Sequence, residues 1–172
     1  MAQAFIGLGS NLGDGRRNLL AAWARLGQIP GVSLEALSNP YETAPMGMES
    51  GHWFINAVGR ISTQLQAHKL LGGLLRIEVE LGRDRTRTKD RPVDLDLLYY
   101  DDLVLDSADL VLPHPEIHNR LFVLVPLEEL APDLSHPLLG RTTAELRKKL
   151  AAPDQTIIKT AWHNNGDRLA ST

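Results

Sequence analysis

The strand predicted at residues 93–100 constrains this chain more than any other segment. Asp94 and Asp96 alternate there with apolar residues, and alternate residues of a strand share one face of a sheet. We therefore predict that Leu95 and Leu97 are buried and that the two carboxylates point together into a cleft. Paired carboxylates favour a hard cation, and magnesium takes one or two of them and is usually completed by substrate phosphates.

A basic segment leads directly into this strand. Its positive side chains occupy every second position, and they are Arg83, Arg85, Arg87, Lys89 and Arg91. The segment shows no apolar period, which is typical of a loop. Arginine presents a planar fork that matches phosphate oxygens. Carboxylates and arginines together therefore indicate metal-assisted phosphoryl chemistry.

The charge distribution favours a small polyanion as the ligand. The net charge is −3, but residues 83–91 carry five positive and two negative side chains, a local charge of +3 that leaves −6 on the remainder. A protein that binds a nucleic-acid duplex normally spreads positive charge over a whole face. We therefore expect no nucleic-acid partner.

Length and composition predict one ordinary globular domain. The chain has 172 residues, 43% of them apolar and 23% charged, and no cysteine, which excludes disulfide frameworks and thiol catalysis. We expect residues 1–158 to form the domain and residues 159–172 a polar C-terminal tail. No window approaches a spanning length of ~20 apolar residues, and the first ten residues lack the features of a signal peptide. A cytoplasmic monomer without membrane contact is expected.

The predicted elements alternate between strands and helices. Strands are predicted at residues 4–8, 32–38, 54–61 and 93–100, and helices at residues 14–27 and 64–81. This order predicts an α+β fold, a ferredoxin-like sandwich of an antiparallel sheet with helices packed on one face. Residues 103–105 are expected to return along the last strand as a hairpin. Prolines between residues 113 and 137 predict short helical turns only, before a last helix at residues 141–150.

Two histidines follow the predicted hairpin. His114 and His118 are four residues apart with Glu116 between them, but the order of these residues differs from that of a zinc-binding HExxH helix. We prefer to interpret this segment as a loop donor to phosphate, together with Arg120.

A further segment suggests a slot for a planar ring. Residues 41–47 are followed by Trp53, Phe54 and Asn56. Aromatic faces stack on flat heterocycles, and an asparagine amide can donate and accept at the same edge.

In combination, these segments resemble the 6-hydroxymethyl-7,8-dihydropterin pyrophosphokinase family of folate biosynthesis. The resemblance runs in order from about residue 4 to residue 134, through residues 9–13, 41–47, 54–58, 76–78, 81–85, 91–98, 113–115 and 120–127. It implies the ferredoxin-like fold and transfer of the terminal diphosphate of ATP to the pterin hydroxymethyl group, with release of AMP.

The resemblance also implies roles for individual residues. Two magnesium ions would be held by Asp94 and Asp96, which act with Arg83 and Arg91 as the catalytic residues. The pterin slot would comprise Thr43, Pro45, Met46, Phe54, Asn56 and Phe122. Contacts to ATP would come from Glu78, Arg83, Arg85, Arg91, His114 and Arg120.

Two alternatives remain open on the residues alone. Another magnesium-dependent nucleotidyl- or phosphotransferase would share the aspartates and arginines and would differ only in the slot at residues 43–56. A non-catalytic nucleic-acid binder of the same fold would need aromatic residues patterned on the sheet face, and the three Phe and three Tyr residues are not placed that way.

Overall fold

The computed structural model describes residues 1–45, 52–84, 86 and 90–163. In these residues the strands are β1 Ala2–Ser10, β2 Val32–Leu37, β3 Tyr41–Thr43, β4 Phe54–Thr63, β5 Asp94–Tyr100, β6 Leu105–Asp106, β7 Val111–Leu112 and β8 Ile157–Lys159. The helices are α1 Gly15–Gln28, α2 Ala67–Glu80, α3 Leu121–Leu130 and α4 Thr143–Lys149, with a short 3-10 helix at Ile117–Asn119. Met46 and Arg85, both predicted site residues, lie outside the described part.

The main sheet confirms the predicted α+β fold. Its strands follow the order β5-β1-β4-β3-β8, with β2 also paired to β4, and each pairing is antiparallel. On the edge away from β1, β4 pairs with two strands: its residues 54–56 pair with β3 and its residues 59–63 pair with β2. Helix α1 connects β1 to β2 and α2 connects β4 to β5, as in ferredoxin-like folds.

Helices cover both faces of this sheet, which corrects the expectation of one covered face. Ile6 and Leu8 of β1 are buried in the cluster that includes α1 and α2. Phe5, which points the other way, is buried in the cluster that includes α3 and α4. Strand β1 is thus buried on both sides, which explains its nearly continuous apolar run.

Helix α3 was missed because its proline was given too much weight. The prediction of short turns between residues 113 and 137 is wrong, since α3 is ten residues long and contains Pro126. Proline removes one helical hydrogen bond, but Val123, Leu124 and Leu127 are buried against the sheet. Burial of these side chains, each stabilising by roughly 1.5–3 kcal/mol, outweighs that loss.

The predicted hairpin after β5 is also wrong. The chain turns at Asp101, which has a φ of 47°, and β6 pairs with β7 in a separate two-stranded sheet. On β5 itself, Leu98 O accepts a hydrogen bond from His114 N over 2.9 Å. The segment that carries His114 therefore lies where the hairpin return was expected.

Two short strands, β3 and β8, have no counterpart in the prediction. They pair with each other, with Thr43 opposite Ile157 and Tyr41 opposite Lys159. The chain after β8 continues along the sheet to Trp162, which packs against the core. The division into a domain ending at residue 158 and a tail stays a prediction.

None of the helices in the described residues has the length and apolar character needed to cross a membrane.

Candidate active site

Along one face of three neighbouring strands, large apolar side chains give way to glycines, polar residues and one aromatic ring, that of Phe54. On β5 these residues are Leu98, Asp96 and Asp94, on β1 they are Phe5, Gly7 and Gly9, and on β4 they are Val58, Asn56 and Phe54. The first residue of each set is buried against α3 and α4, and the others line a cleft of about 370 Å³. The two-residue period thus forms core at one end and a cleft at the other.

Asp94 and Asp96 both line this cleft, and the leucine between them is buried on the opposite face. In the sheet register Asp94 lies beside Gly9 and Asp96 beside Gly7. Because glycine carries no side chain, neither carboxylate is covered from the neighbouring strand.

Two arginines neutralise Asp94. Arg83 Nη1 donates to Asp94 Oδ1 over 2.8 Å, and Arg91 Nη2 donates to Oδ2 over 3.2 Å. The side chains of Arg83 and Arg91 are 12% and 22% exposed, so salt screens these ion pairs much less than it screens surface pairs. Arg83 and Arg91 are thereby held at the carboxylates.

Asp96 differs from Asp94 in its surroundings. Across the described part of the chain, no hydrogen bond or ion pair is made by its carboxylate. Burial, reinforced by the negative charge of Asp94, raises the pKa of Asp96 to about 7. A bound cation would favour the ionised form and lower that pKa.

The two carboxylates fit a magnesium ion that is completed by substrate. No group of three or more His, Cys, Asp or Glu side chains in the described residues could hold a metal by itself. Magnesium retains several waters and needs only one or two carboxylates when phosphates supply the remaining oxygens. The Asp96 carboxylate has no hydrogen-bond or ion-pair partner in the described residues, and it is therefore suited to be such a ligand.

The backbone of Arg91 is held by Asn11, a residue for which no role was predicted. Arg91 N donates to Asn11 Oδ1 over 2.8 Å, and Asn11 N donates to Arg91 O over 3.1 Å. Asn11 is 5% exposed. A polar residue in the turn after β1 was visible in the sequence, but its partner 80 residues away was not.

The predicted slot forms one wall of the cleft. Asn56 Nδ2 donates to Thr43 Oγ1 over 2.7 Å, and both residues are buried. A Cβ atom at Gly9 would lie only 3.0 Å from Asn56 Oδ1, so glycine there keeps the amide oxygen accessible. Phe54 and Phe122 line the same cleft.

Each of the two rings has a guanidinium group above it. The Arg91 guanidinium carbon lies 5.0 Å from the centroid of the Phe54 ring, and that of Arg120 lies 5.5 Å from the centroid of the Phe122 ring. These cation-π contacts connect the aromatic slot to the charged part of the cleft. Pro45 lies in the described part, but it is not among the residues that line the cleft.

A second groove of about 360 Å³ lies on the other side of the aspartates. Its walls include Leu71, Leu75, Glu78, Asp94, Asp96 and His114. Asp94 and Asp96 therefore border both cavities. Glu78 is 2% exposed, and its Oε1 accepts a hydrogen bond from Leu95 N over 2.8 Å.

His114 is held as a neutral donor in this groove. Burial and the nearby positive charge of Arg120 lower its pKa. Its Nδ1 accepts a hydrogen bond from Glu116 N over 3.2 Å, so the proton of the neutral ring is on Nε2.

Glu116 and Asn119 also line the cleft, and the sequence did not assign either to it. Both belong to the turn before α3 that carries Arg120. The only indication in the sequence that these two residues lie in the cleft was their position close to Arg120.

Comparisons with known proteins agree with this geometry. Residues 5–132 match the family described as 7,8-dihydro-6-hydroxymethylpterin-pyrophosphokinase. A 2-amino-4-hydroxy-6-hydroxymethyldihydropteridine pyrophosphokinase of Methylorubrum extorquens is 43% identical over 151 residues, which cover 87% of this chain and 94% of the relative. The enzyme of the same name from Haemophilus influenzae is 40% identical over 160 residues, covering 92% and 98%.

Solved structures support the fold. The crystal structure of Plasmodium falciparum HPPK-DHPS wild type with pteroate matches with a TM-score of 0.70 at 14% identity, covering 86% of this chain and 44% of that longer one. This chain thus spans less than half of the structure it matches. The family match, the relatives and the shared fold agree with the resemblance found in the sequence: this chain belongs to the 7,8-dihydro-6-hydroxymethylpterin-pyrophosphokinase family.

Proposed function

We propose that this chain transfers diphosphate from ATP to the hydroxymethyl group of 6-hydroxymethyl-7,8-dihydropterin, giving AMP, as a step of folate biosynthesis. The observation that carries the proposal is the position of Asp94 and Asp96 between two cavities. One cavity contains the amide-edged slot and the other contains Glu78 and His114. Membership of the family supports the same reaction.

The acceptor occupies the cleft in this proposal. Its flat ring lies between Phe54 and Phe122, and its polar edge meets Asn56 and Thr43, whose mutual hydrogen bond fixes the orientation of the amide. By the family resemblance, Pro45 and Met46, which follow Thr43 in the sequence, are assigned to the same slot. The hydroxymethyl group then points towards the aspartates.

The nucleotide occupies the groove beside α2. Glu78 lies on the nucleoside side, and the charged groups contact the triphosphate: Arg83, Arg85, Arg91, His114 and Arg120. The arginines that now neutralise Asp94 would shift part of their hydrogen bonding to phosphate oxygens. His114 donates from Nε2 as a neutral group.

Asp94 and Asp96 would hold two magnesium ions in this site. When bound, these ions neutralise phosphate charge and orient the triphosphate. Asp96 supports this assignment because its carboxylate lacks a partner in the described residues and its pKa is raised to about 7, a cost that binding a cation would remove.

The reaction itself needs positioning more than covalent help from the protein. The hydroxyl oxygen of the acceptor attacks the β-phosphorus and loses its proton to solvent. The bond from that phosphorus to the oxygen shared with the α-phosphorus breaks, and AMP departs with that oxygen. The arginines supply charge where it develops, and the slot aligns the attacking oxygen.

The proposal is tested by incubating the protein with ATP, magnesium and the hydroxymethyl dihydropterin. AMP and a diphosphorylated pterin are expected, and both should be lost in Asp96→Ala. Asp102→Ala, which removes an exposed aspartate in the turn after β5, is the matched control and should retain activity. Formation of ADP, or of AMP without dependence on the pterin, would instead favour a phosphotransferase or nucleotidyltransferase with another acceptor.

We further propose that the protein acts as a cytoplasmic monomer without nucleic-acid or membrane partners. Light scattering during size-exclusion chromatography tests the oligomeric state.

A further inference from the structure

The side chain of Gln155 holds the backbone on both sides of Arg120. Gln155 Oε1 accepts a hydrogen bond from Leu121 N over 2.9 Å. Its Nε2 donates to Asn119 O over 3.0 Å. A single amide thus spans the turn that presents Arg120 to the cleft.

Helix α3 needs this external partner because of the residue at its start. Arg120 is the N-cap of α3 and provides no side-chain cap, since a guanidinium group has no hydrogen-bond acceptor. Ser, Thr, Asp or Asn would cap the helix locally but would remove the positive charge from the cleft. Gln155, 34 residues beyond Leu121, instead accepts from Leu121 N, the first of the N–H groups that the helix start leaves without an intrahelical partner.

The chain after Gln155 is anchored to the opposite wall of the cleft. Ile157 pairs with Thr43 across β8 and β3. Further along, Trp162 Nε1 donates to Ser38 O over 3.0 Å. The segment from residue 155 to residue 162 therefore connects the Arg120 turn to the strand that carries Thr43.

We propose that Gln155 is a positioning residue, which orients Arg120 for diphosphate transfer. This inference rests on the proposed function, because Arg120 is assigned there to the triphosphate. The donor and acceptor of the Gln155 amide match the Asn119 carbonyl and the Leu121 N–H. Gln155 thus acts on the site through the turn that carries Arg120, although it is not among the residues that line the cleft.

The test uses substitutions of matched length in the full-length chain. Gln155→Met removes both hydrogen bonds, whereas Gln155→Glu keeps an acceptor for Leu121 N and loses the donor to Asn119 O. Misplacement of Arg120 should lower kcat/KM for ATP about tenfold in Gln155→Met and by a smaller factor in Gln155→Glu. Thr156→Ala, at the exposed neighbouring position, should match the wild type. Circular dichroism confirms that each variant is folded at the assay temperature.

A double-mutant cycle separates positioning from a purely structural role. If Gln155 acts through Arg120, Gln155→Met should change kcat/KM less than about twofold in an Arg120→Ala background. An equal loss in both backgrounds, or no loss in the wild-type background, overturns the inference. Absence of pterin-dependent AMP formation by the wild type would instead reject the proposed function, and the inference with it.

Discussion

The carboxylate of Glu78 accepts a hydrogen bond from the backbone N–H of Leu95, the residue between the two aspartates, over 2.8 Å. Glu78 is on α2 and is almost completely buried. This bond fixes the position of β5 relative to α2. It does so at the point where the side chains of Asp94 and Asp96 enter the cleft. A buried acid in an otherwise apolar helix face is therefore explained by the strand that it holds.

Removing this acceptor should destabilise the protein. Glu78→Ala leaves the Leu95 N–H buried without that partner, which we expect to lower the free energy of unfolding by about 1–3 kcal/mol. Glu78→Gln keeps an acceptor oxygen and should cost less than half as much. Urea denaturation measures both. Equal losses in the two variants would show that the charge of Glu78, and not its bond to Leu95, provides the stability.

The raised pKa of Asp96 predicts an unusual pH dependence for the metal-free protein. Burial, with the charge of Asp94, raises that pKa to about 7, so the folded state binds more protons than the unfolded state between about pH 4 and pH 7. The stability contribution of this carboxyl is therefore complete below about pH 4 and is lost as the pH rises through 7. Asp96→Asn should stabilise the metal-free protein by about 1–3 kcal/mol at pH 8.

Urea denaturation in EDTA at pH 8 and at pH 4 measures the difference in the free energy of unfolding between the wild type and Asp96→Asn. This difference should nearly disappear at pH 4. A constant difference between wild type and Asp96→Asn across that range would contradict the raised pKa. Asp102→Asn, at an exposed position, controls for the loss of one negative charge.

Periodicity in the sequence was sufficient for the central elements of the fold. β1, β4, β5, α1 and α2 were predicted because each buries a face whose side chains repeat every two residues or along one side of a helix. β3 and β8 were missed because three residues are too few to show a period. Helix α3 was missed because local proline rules do not include the burial gained against the sheet.

For the site, the sequence located side chains but not their partners. Alternation along β5 predicted that Asp94 and Asp96 share a face, and the family resemblance supplied the residues of the slot. The roles of Asn11 and Gln155 depend on hydrogen bonds to residues 80 and 34 positions away. Such contacts depend on the register of the strands and the path of the C-terminal segment, which have no local signal.

Loss of an arginine should affect catalysis more than nucleotide binding. Arg83 and Arg91 both pair with Asp94, so either substitution leaves the carboxylate with one guanidinium partner and the nucleotide groove intact. We expect Arg83→Ala and Arg91→Ala to lower kcat about 100-fold and to weaken ATP binding less than about fivefold. Steady-state kinetics and calorimetry measure the two effects.

Arg25→Ala removes an arginine that pairs with Glu80 on the helical surface and serves as the control. Unchanged kcat together with a large loss of ATP affinity in Arg83→Ala or Arg91→Ala would show that these residues only anchor the nucleotide.

The acceptor slot predicts a selective loss of pterin binding. Asn56 is buried, and its amide is oriented by Thr43 Oγ1 over 2.7 Å, so its oxygen can meet the donor edge of a pterin ring. Asn56→Leu removes that partner and leaves polar groups of the ligand unpaired, at a cost of about 1–3 kcal/mol. Calorimetry should show pterin affinity lowered about 5- to 150-fold and ATP affinity nearly unchanged.

Two companions to Asn56→Leu identify the source of that loss. Thr43→Val removes the acceptor that orients the Asn56 amide and should weaken pterin binding in the same direction by a smaller factor, because the amide itself remains. Ser62→Ala, near the far end of β4 from the cleft, should leave both affinities unchanged. If Asn56→Leu binds the pterin as tightly as the wild type, the ring does not lie at Asn56, and the assignment of this cleft to the acceptor is wrong.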